Sequence, residues 1–267
     1  MTNPDEHLSP SFLNILGPED LADRLAALRP ALFLDYDGTL VPIAPRPDLA
    51  VLSDIHRDKL RHVAKFCPVA VVSGRDLDDV RRLVGVDGIV YAGSHGFDIL
   101  APSGRHRMGE EFRPSLERAG AALDRALSGI PGALVEHKRY ALAIHYRQVP
   151  VERRQEIEEV VRAVAAGEPE LRRTGGKELF ELRPKLPWDK GSAVTHLIET
   201  EKLGGCMPVY LGDDLTDEDA FHALRGQGIG ILVGHHGHAT AAVALLPDVP
   251  AVWRFLDGLA TRLERGG

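Results

Sequence analysis

Five short apolar runs constrain the fold most. Residues 31–34, 69–72, 89–91, 209–211 and 229–233 are rich in β-branched side chains, and each is followed by a polar or glycine-containing turn. Runs this short, with no polar residue at alternate positions, read as strands buried on both faces, the pattern of a parallel sheet. Helical spacing appears between them. Leu77, Val80, Leu83 and Val84 follow Asp76, a candidate N-cap, and precede Gly85, a candidate stop; Val194, Leu197 and Ile198 repeat the spacing after Lys190-Gly191. Strands alternating with helices predict an α/β domain with a doubly wound parallel sheet, whose ligands bind at the carboxyl ends of the strands.

Between residues 104 and 187 the pattern changes. Helical spacing near 116–127 and 157–164 is set among alternating strand-like stretches such as 141–147, which predicts an inserted α+β domain. Pro102-Ser103-Gly104 at its start and Pro184 with Pro187 at its end suit two linkers and a hinged lid. The expected division is a discontinuous core, 1–104 with 188–267, and a cap, 105–187; a chain of 267 residues has room for both. Residues 1–29 carry no motif beyond a helix near 20–28.

A net charge of −7 argues against nucleic acid or an anionic membrane as partner. The opening MTNPDEHLSP has acids and prolines where a signal peptide needs a basic start and an apolar run, and no apolar stretch approaches the roughly 18 residues of a spanning helix. A cytoplasmic monomer is expected. Cys67 and Cys206 stand far apart beside apolar runs, which suits reduced structural thiols rather than a disulfide scaffold or zinc site.

The polar residues at the ends of the runs carry the chemistry. Asp35 and Asp37 follow the first run in Leu34-Asp35-Tyr36-Asp37-Gly38-Thr39. There one carboxylate can attack phosphorus and the other protonate a departing oxygen. Turn chemistry alone also explains an Asp pair with Gly; a calcium loop does not, because its twelfth position is Ala44 and not Glu. Ser73 ends the second run in Ser73-Gly74-Arg75, as a phosphoryl-oxygen donor near a helix N-terminus or simply as a loop residue. Lys190 opens a helix and either neutralises a phosphoryl group or lies on the surface. Asp213 and Asp214, after the fourth run, offer the hard oxygens that Mg2+ prefers. Thr216 is a candidate N-cap, with Glu218 and Asp219 as first-turn acids.

Taken in order, the aspartate pair, the serine, the lysine and the acidic pair resemble the four motifs of the haloacid-dehalogenase (HAD) phosphatase superfamily. The resemblance spans nearly the whole chain and implies a Rossmann-like core with an inserted cap. It implies Asp35 as nucleophile, Asp37 as general acid and base, and Ser73 and Lys190 as phosphate ligands. It also implies Mg2+ held by Asp35, the Asp37 carbonyl and Asp213, with Asp214 beside it.

The cap should choose the ester. Alternation along 141–147 puts Ala141, Ala143, His145 and Arg147 on one face and Leu142, Ile144 and Tyr146 on the other. Glu136 with Lys138, and Glu181 with Arg183, share faces of neighbouring segments, and Lys177-Glu178 follows Gly175-Gly176. Such a face either binds a polar ligand or is a solvated surface of paired charges. Gly93-Ser94-His95-Gly96, Val135-Glu136-His137-Lys138, Ala143-Ile144-His145-Tyr146-Arg147, Gly176-Lys177-Glu178, Glu181-Leu182-Arg183-Pro184 and the stretch 212–221 resemble motifs of trehalose-6-phosphate phosphatases. The resemblance implies that trehalose 6-phosphate is the substrate. It also implies contacts from Gly74, Arg75, His95, Glu136, Lys138, His145, Arg147, Lys177, Glu178 and Glu181. Another sugar phosphate is the alternative. A phosphate-accepting signalling domain needs no large insert, and a degenerate binding module would have lost Asp35 or Asp37.

Overall fold

The computed structural model describes residues 17–44, 46–176 and 179–266. The chain divides into two compact units, one running up to His106 and resuming at Trp188, the other Arg107–Pro187. The first unit begins with α1 (Pro18–Ala26), β1 (Pro30–Leu34), α2 (Asp54–Val63), β2 (Val69–Val72), α3 (Leu77–Val84), β3 (Val90–Gly93), β4 (Asp98–Ala101) and β5 (Gly104–Arg107). The second contains α4 (Arg113–Leu127), β6 (Leu134–His137), β7 (Leu142–His145), α5 (Arg154–Gly167), β8 (Leu171–Gly176) and β9 (Leu179–Pro184). The first then resumes with α6 (Lys190–Thr200), β10 (Met207–Gly212), α7 (Glu218–Ala223), β11 (Ile229–Val233), β12 (Ala244–Leu246) and α8 (Val249–Gly266).

Among the described residues the first unit forms one sheet of order β12-β11-β10-β1-β2-β3-β4-β5. β12 through β3 are parallel neighbours, and β4 turns back antiparallel to β3. From β1 the chain builds outward through β2 and β3, then returns to the other flank of β1 to add β10, β11 and β12. The reversal puts a topological switch point between β1 and β10, where open α/β sheets bind ligands. Leu34 lies opposite Leu211, so Asp35 and Gly212-Asp213 leave the sheet side by side.

Both faces of the sheet are covered, which is why its strands lack polar alternation. Leu32, Leu34, Val209 and Leu211 face one core with Leu21, Leu60, Val80 and Phe255; Ala31, Phe33 and Tyr210 face the other with Val194, Leu197 and Phe221. Each of these Leu, Val and Phe side chains, when fully buried, contributes about 1.5–3 kcal/mol. Gly85 adopts the left-handed conformation that stops α3 (φ 62°). Asp76 occupies the N-cap position, but its carboxylate accepts from the Ser94 hydroxyl (2.7 Å) and caps nothing.

Two expectations need correction here. Pro102-Ser103 joins β4 to β5 within the core sheet and is not an interdomain linker, so the first unit extends to His106. Strand β7 ends at His145, which leaves Arg147 in an exposed turn, its carbonyl accepting from Arg154 (3.0 Å).

In the second unit an antiparallel sheet of order β6-β7-β9-β8 packs one face on α4 and α5 through Leu116, Leu123, Leu142, Ile144, Ile157, Val161 and Leu182. Tyr146 packs partly against this cluster. Cys67 and Cys206 are free thiols, and burial pushes Cys67 up to about 12. No helix among the described residues is long and apolar enough to cross a membrane.

Candidate active site

The loop after β1 is held rigidly from several sides. Gly38 and Leu40 donate to Val41 and Tyr36 carbonyls (2.8 and 2.9 Å), the Tyr36 hydroxyl donates to Ala50 (2.6 Å), and Trp253 Nε1 donates to Leu40 (2.9 Å). Gly38 has φ 82°, and a Cβ there would lie 2.0 Å from Asp213 Oδ2, so this backbone must pass a carboxylate at a distance only glycine permits.

Asp35 is buried, and its backbone N–H donates to Leu211 O (2.9 Å). Lys190, the first residue of α6, is equally buried and bridges Asp35 Oδ1 (2.8 Å) and Asp217 Oδ1 (2.7 Å). Asp217 is fully buried and accepts four hydrogen bonds: Lys190 and the Tyr210 hydroxyl (2.6 Å) on Oδ1, and the backbone N–H groups of Asp213 and Asp214 (3.0 Å each) on Oδ2. Carboxylate oxygens of Asp35, Asp213 and Asp217 come within 4.8 Å of one another.

This cluster carries excess negative charge, with three carboxylates around one ammonium. Burial raises Asp35 well above the ordinary carboxylate range against the pull of Lys190, with Asp217 and Asp213 adding to the rise. Asp213 is pushed up to about 7, by burial first and then by Asp217. Burial opposes the charge on Lys190, but the Asp217 and Asp35 carboxylates outweigh it and raise the ammonium. Asp213 Oδ1 is buried with no hydrogen-bond partner. An orphaned hard oxygen beside a buried carboxylate, in a pocket short of positive charge, fits a small divalent cation. Both oxygens of Asp217 are already saturated, so it braces the site and leaves the ligand positions to Asp35 and Asp213.

Asp214 is not drawn into the cluster. Its exposed carboxylate accepts from Leu215 N (2.7 Å) and, with Asp217 at the third position, forms a capping box. The cap is therefore Asp214 and not Thr216. Glu218 and Asp219 stand in the first turn of α7 as expected, and the Glu218 carboxylate also accepts from His236 Nε2 (3.0 Å) and Ala241 N (2.8 Å). Sequence reasoning missed Asp217 and Tyr210. The spacing Asp213-x3-Asp217 was the available signal, hidden because an acid in a first helical turn has an ordinary explanation.

Ser73 is buried at the end of β2, beside β1, and its Oγ accepts from Arg75 N (3.2 Å). Arg75 grips Asp37 with two hydrogen bonds (2.6 and 2.7 Å) and Asp79 with a third (3.0 Å). Burial opposes its charge, but these carboxylates raise the guanidinium above its ordinary value. Ser94 and His95 both have positive φ (50° and 56°). Their amides donate to Arg75 O (2.6 Å) and Ser73 O (2.8 Å), which holds the strained turn against the loop after β2. A Cβ on Gly74 would meet the His95 ring at 2.8 Å, so these two residues are in close contact.

In the second unit, Ala143 of β7 pairs across the sheet with Glu136 and Glu181. His145 Nε2 lies 2.9 Å from Glu136, Lys138 Nζ 3.6 Å from Glu181, and Arg183 pairs with Glu181, which is buried. The face opposite the helices is therefore polar, as alternation predicts, although Ala143 is itself covered. Arg147 lies beyond the end of β7, and Lys177 and Glu178 lie outside the described residues.

The family model described as trehalose-phosphatase matches residues 33–246. A trehalose-phosphate phosphatase of Mycobacterium avium is 47% identical over 257 residues, covering 92% of this chain and 66% of the relative. One from Mycobacterium marinum is 44% identical over 275 residues, covering 98% and 69%. The chain thus spans about two thirds of the length of these curated relatives. The C-terminal domain of Candida albicans trehalose-6-phosphate phosphatase superposes with a TM-score of 0.76 at 23% identity, covering 95% of this chain and 99% of that one. A haloacid dehalogenase-like hydrolase from Bacteroides thetaiotaomicron shares the fold at a TM-score of 0.59 and 16% identity, covering 89% of this chain and 99% of that one. A doubly wound core with its charged switch point, an α+β insert and a match across both units together place this chain in the trehalose-phosphatase family.

Proposed function

We propose that the protein hydrolyses trehalose 6-phosphate to trehalose and inorganic phosphate through an aspartyl-phosphate on Asp35, with Mg2+ as cofactor. The observation that carries this reading is the buried Asp35–Lys190–Asp217 bridge at the switch point, beside the orphaned oxygen of Asp213.

In the first step an Asp35 carboxylate oxygen bonds to phosphorus as the phosphorus–oxygen bond to the sugar breaks. The proton on the Asp37 carboxyl passes to the departing sugar oxygen. In the second, Asp37 as carboxylate takes a proton from water while the water oxygen attacks phosphorus, which frees phosphate and restores Asp35. Lys190 balances charge on the phosphoryl oxygens, and the Ser73 hydroxyl with neighbouring backbone N–H groups orients them. Mg2+, held by Asp35, the Asp37 carbonyl and Asp213, would neutralise phosphoryl charge when bound. Arg75 fixes the direction of Asp37.

The sugar is recognised in this reading by Glu136, Lys138, His145 and Glu181 on the polar face of the second unit. Paired Glu, Lys and His groups reject analogues that leave them without partners. The test is phosphate release from a panel of sugar phosphates, with Mg2+ and with chelator. Preference for trehalose 6-phosphate, abolished by chelation, is expected. A different preferred sugar removes the substrate assignment, and chelator-resistant turnover removes the metal.

A further inference from the structure

Tyr210 lies on β10, fully buried, its ring edge-on to Phe221 (centroids 5.7 Å apart, 81° between planes). The proposed mechanism does not use it. Yet its hydroxyl donates to Asp217 Oδ1 (2.6 Å), the same oxygen that accepts from Lys190 (2.7 Å). The other oxygen is taken by two backbone amides. Asp217 is 0% exposed, so water cannot replace a donor that is lost.

We propose that Tyr210 is a positioning residue: by sharing Asp217 Oδ1 with Lys190 it limits the pull of Asp217 on the ammonium and keeps Lys190 directed at Asp35. Lys190 stands between two carboxylates at nearly equal distances, 2.7 Å and 2.8 Å. With the phenol removed, Oδ1 of Asp217 is balanced by Lys190 alone, and the ammonium shifts toward it. Asp35 and the transferring phosphoryl group then lose their cation. Burial raises the phenol well above its ordinary range, with Asp217 adding to the effect, so it stays a donor throughout the working pH range. This inference rests on the phosphoryl-transfer reading but not on the identity of the sugar.

The experiment compares the 267-residue chain with its Tyr210→Phe variant, which keeps the ring and its contact with Phe221. Hydrolysis of para-nitrophenyl phosphate is measured at saturating Mg2+, together with inhibition by orthovanadate and by inorganic phosphate. Rates are expressed per folded molecule, the folded fraction being read from tryptophan fluorescence and restored where needed with trimethylamine N-oxide. The expected result is a fall in kcat of about 10- to 100-fold, the range of one hydrogen bond to a charged group, with KM changed less than about threefold. Vanadate affinity should fall in parallel, because the vanadate resembles the transition state, and phosphate affinity should not. A kcat per folded molecule within about twofold of wild type, or equal loss of vanadate and phosphate affinity, overturns the inference and leaves the functional reading standing. A wild-type chain that cleaves no phosphomonoester removes the reading itself, and the inference with it.

Discussion

Replacing Asp213 by Asn should stabilise the metal-free protein while abolishing its response to Mg2+. Asp213 is held at about 7, against an ordinary value of 3.8, by burial and by Asp217. Below about pH 3 the folded and unfolded chains both carry the proton. Between pH 4 and 7 the folded state keeps a proton that the unfolded state has released, so stability falls as pH rises, and above about pH 7 the full penalty stands. At about 1.4 kcal/mol per unit the ceiling is roughly 4 kcal/mol. Partial solvent access and sharing of charge with Asp35 reduce it to about 2 kcal/mol, or roughly 4–8 °C in Tm. The assay is thermal unfolding of Asp213→Asn and wild type at pH 8, with chelator and with Mg2+. The variant should melt higher in chelator, its advantage should shrink as the pH falls toward 4, and Mg2+ should raise only the wild type. A variant that melts lower in chelator at pH 8, or gains as much as wild type from Mg2+, refutes the charge-excess argument.

Gly38→Ala puts a Cβ 2.0 Å from Asp213 Oδ2 at a backbone φ of 82°; kcat should fall at least about 100-fold and the Mg2+ shift in Tm should shrink, whereas a folded variant with wild-type turnover contradicts the close approach. Glu136→Ala frees His145 from its partner. It should lower kcat/KM for trehalose 6-phosphate about tenfold while leaving para-nitrophenyl phosphate within about twofold, and equal losses on both would make Glu136 structural.

The parallel strands were legible because burial on both faces leaves uninterrupted apolar runs, and Gly85 because a left-handed helix stop favours glycine. β5 was not legible: Gly104-Arg105-His106-Arg107 is mostly exposed and carries no apolar pattern, so the turn before it read as a linker. Alternation carries no internal stop signal, so it extends the strand to Arg147, two residues past its end at His145. In the acidic run after β10, sequence does not separate the cap from the brace. Asp214 and Asp217 are both acids near a helix start, and only tertiary contact with Tyr210 and Lys190 makes Asp217 the buried brace and Asp214 the cap. The pairing of Glu136 with His145 and of Lys138 with Glu181 depends on strand register, which local sequence does not encode.

Which carboxylate bonds to phosphorus decides the mechanism. Borohydride added during turnover of trehalose 6-phosphate by Asp37→Asn, in which breakdown of the phosphoenzyme should be slow, reduces an aspartyl-phosphate to homoserine, and tandem mass spectrometry of the digested chain locates it. Homoserine at position 35 and nowhere else is the predicted result. Homoserine at another aspartate, or none while phosphate is released at the wild-type rate, would contradict Asp35 as the nucleophile.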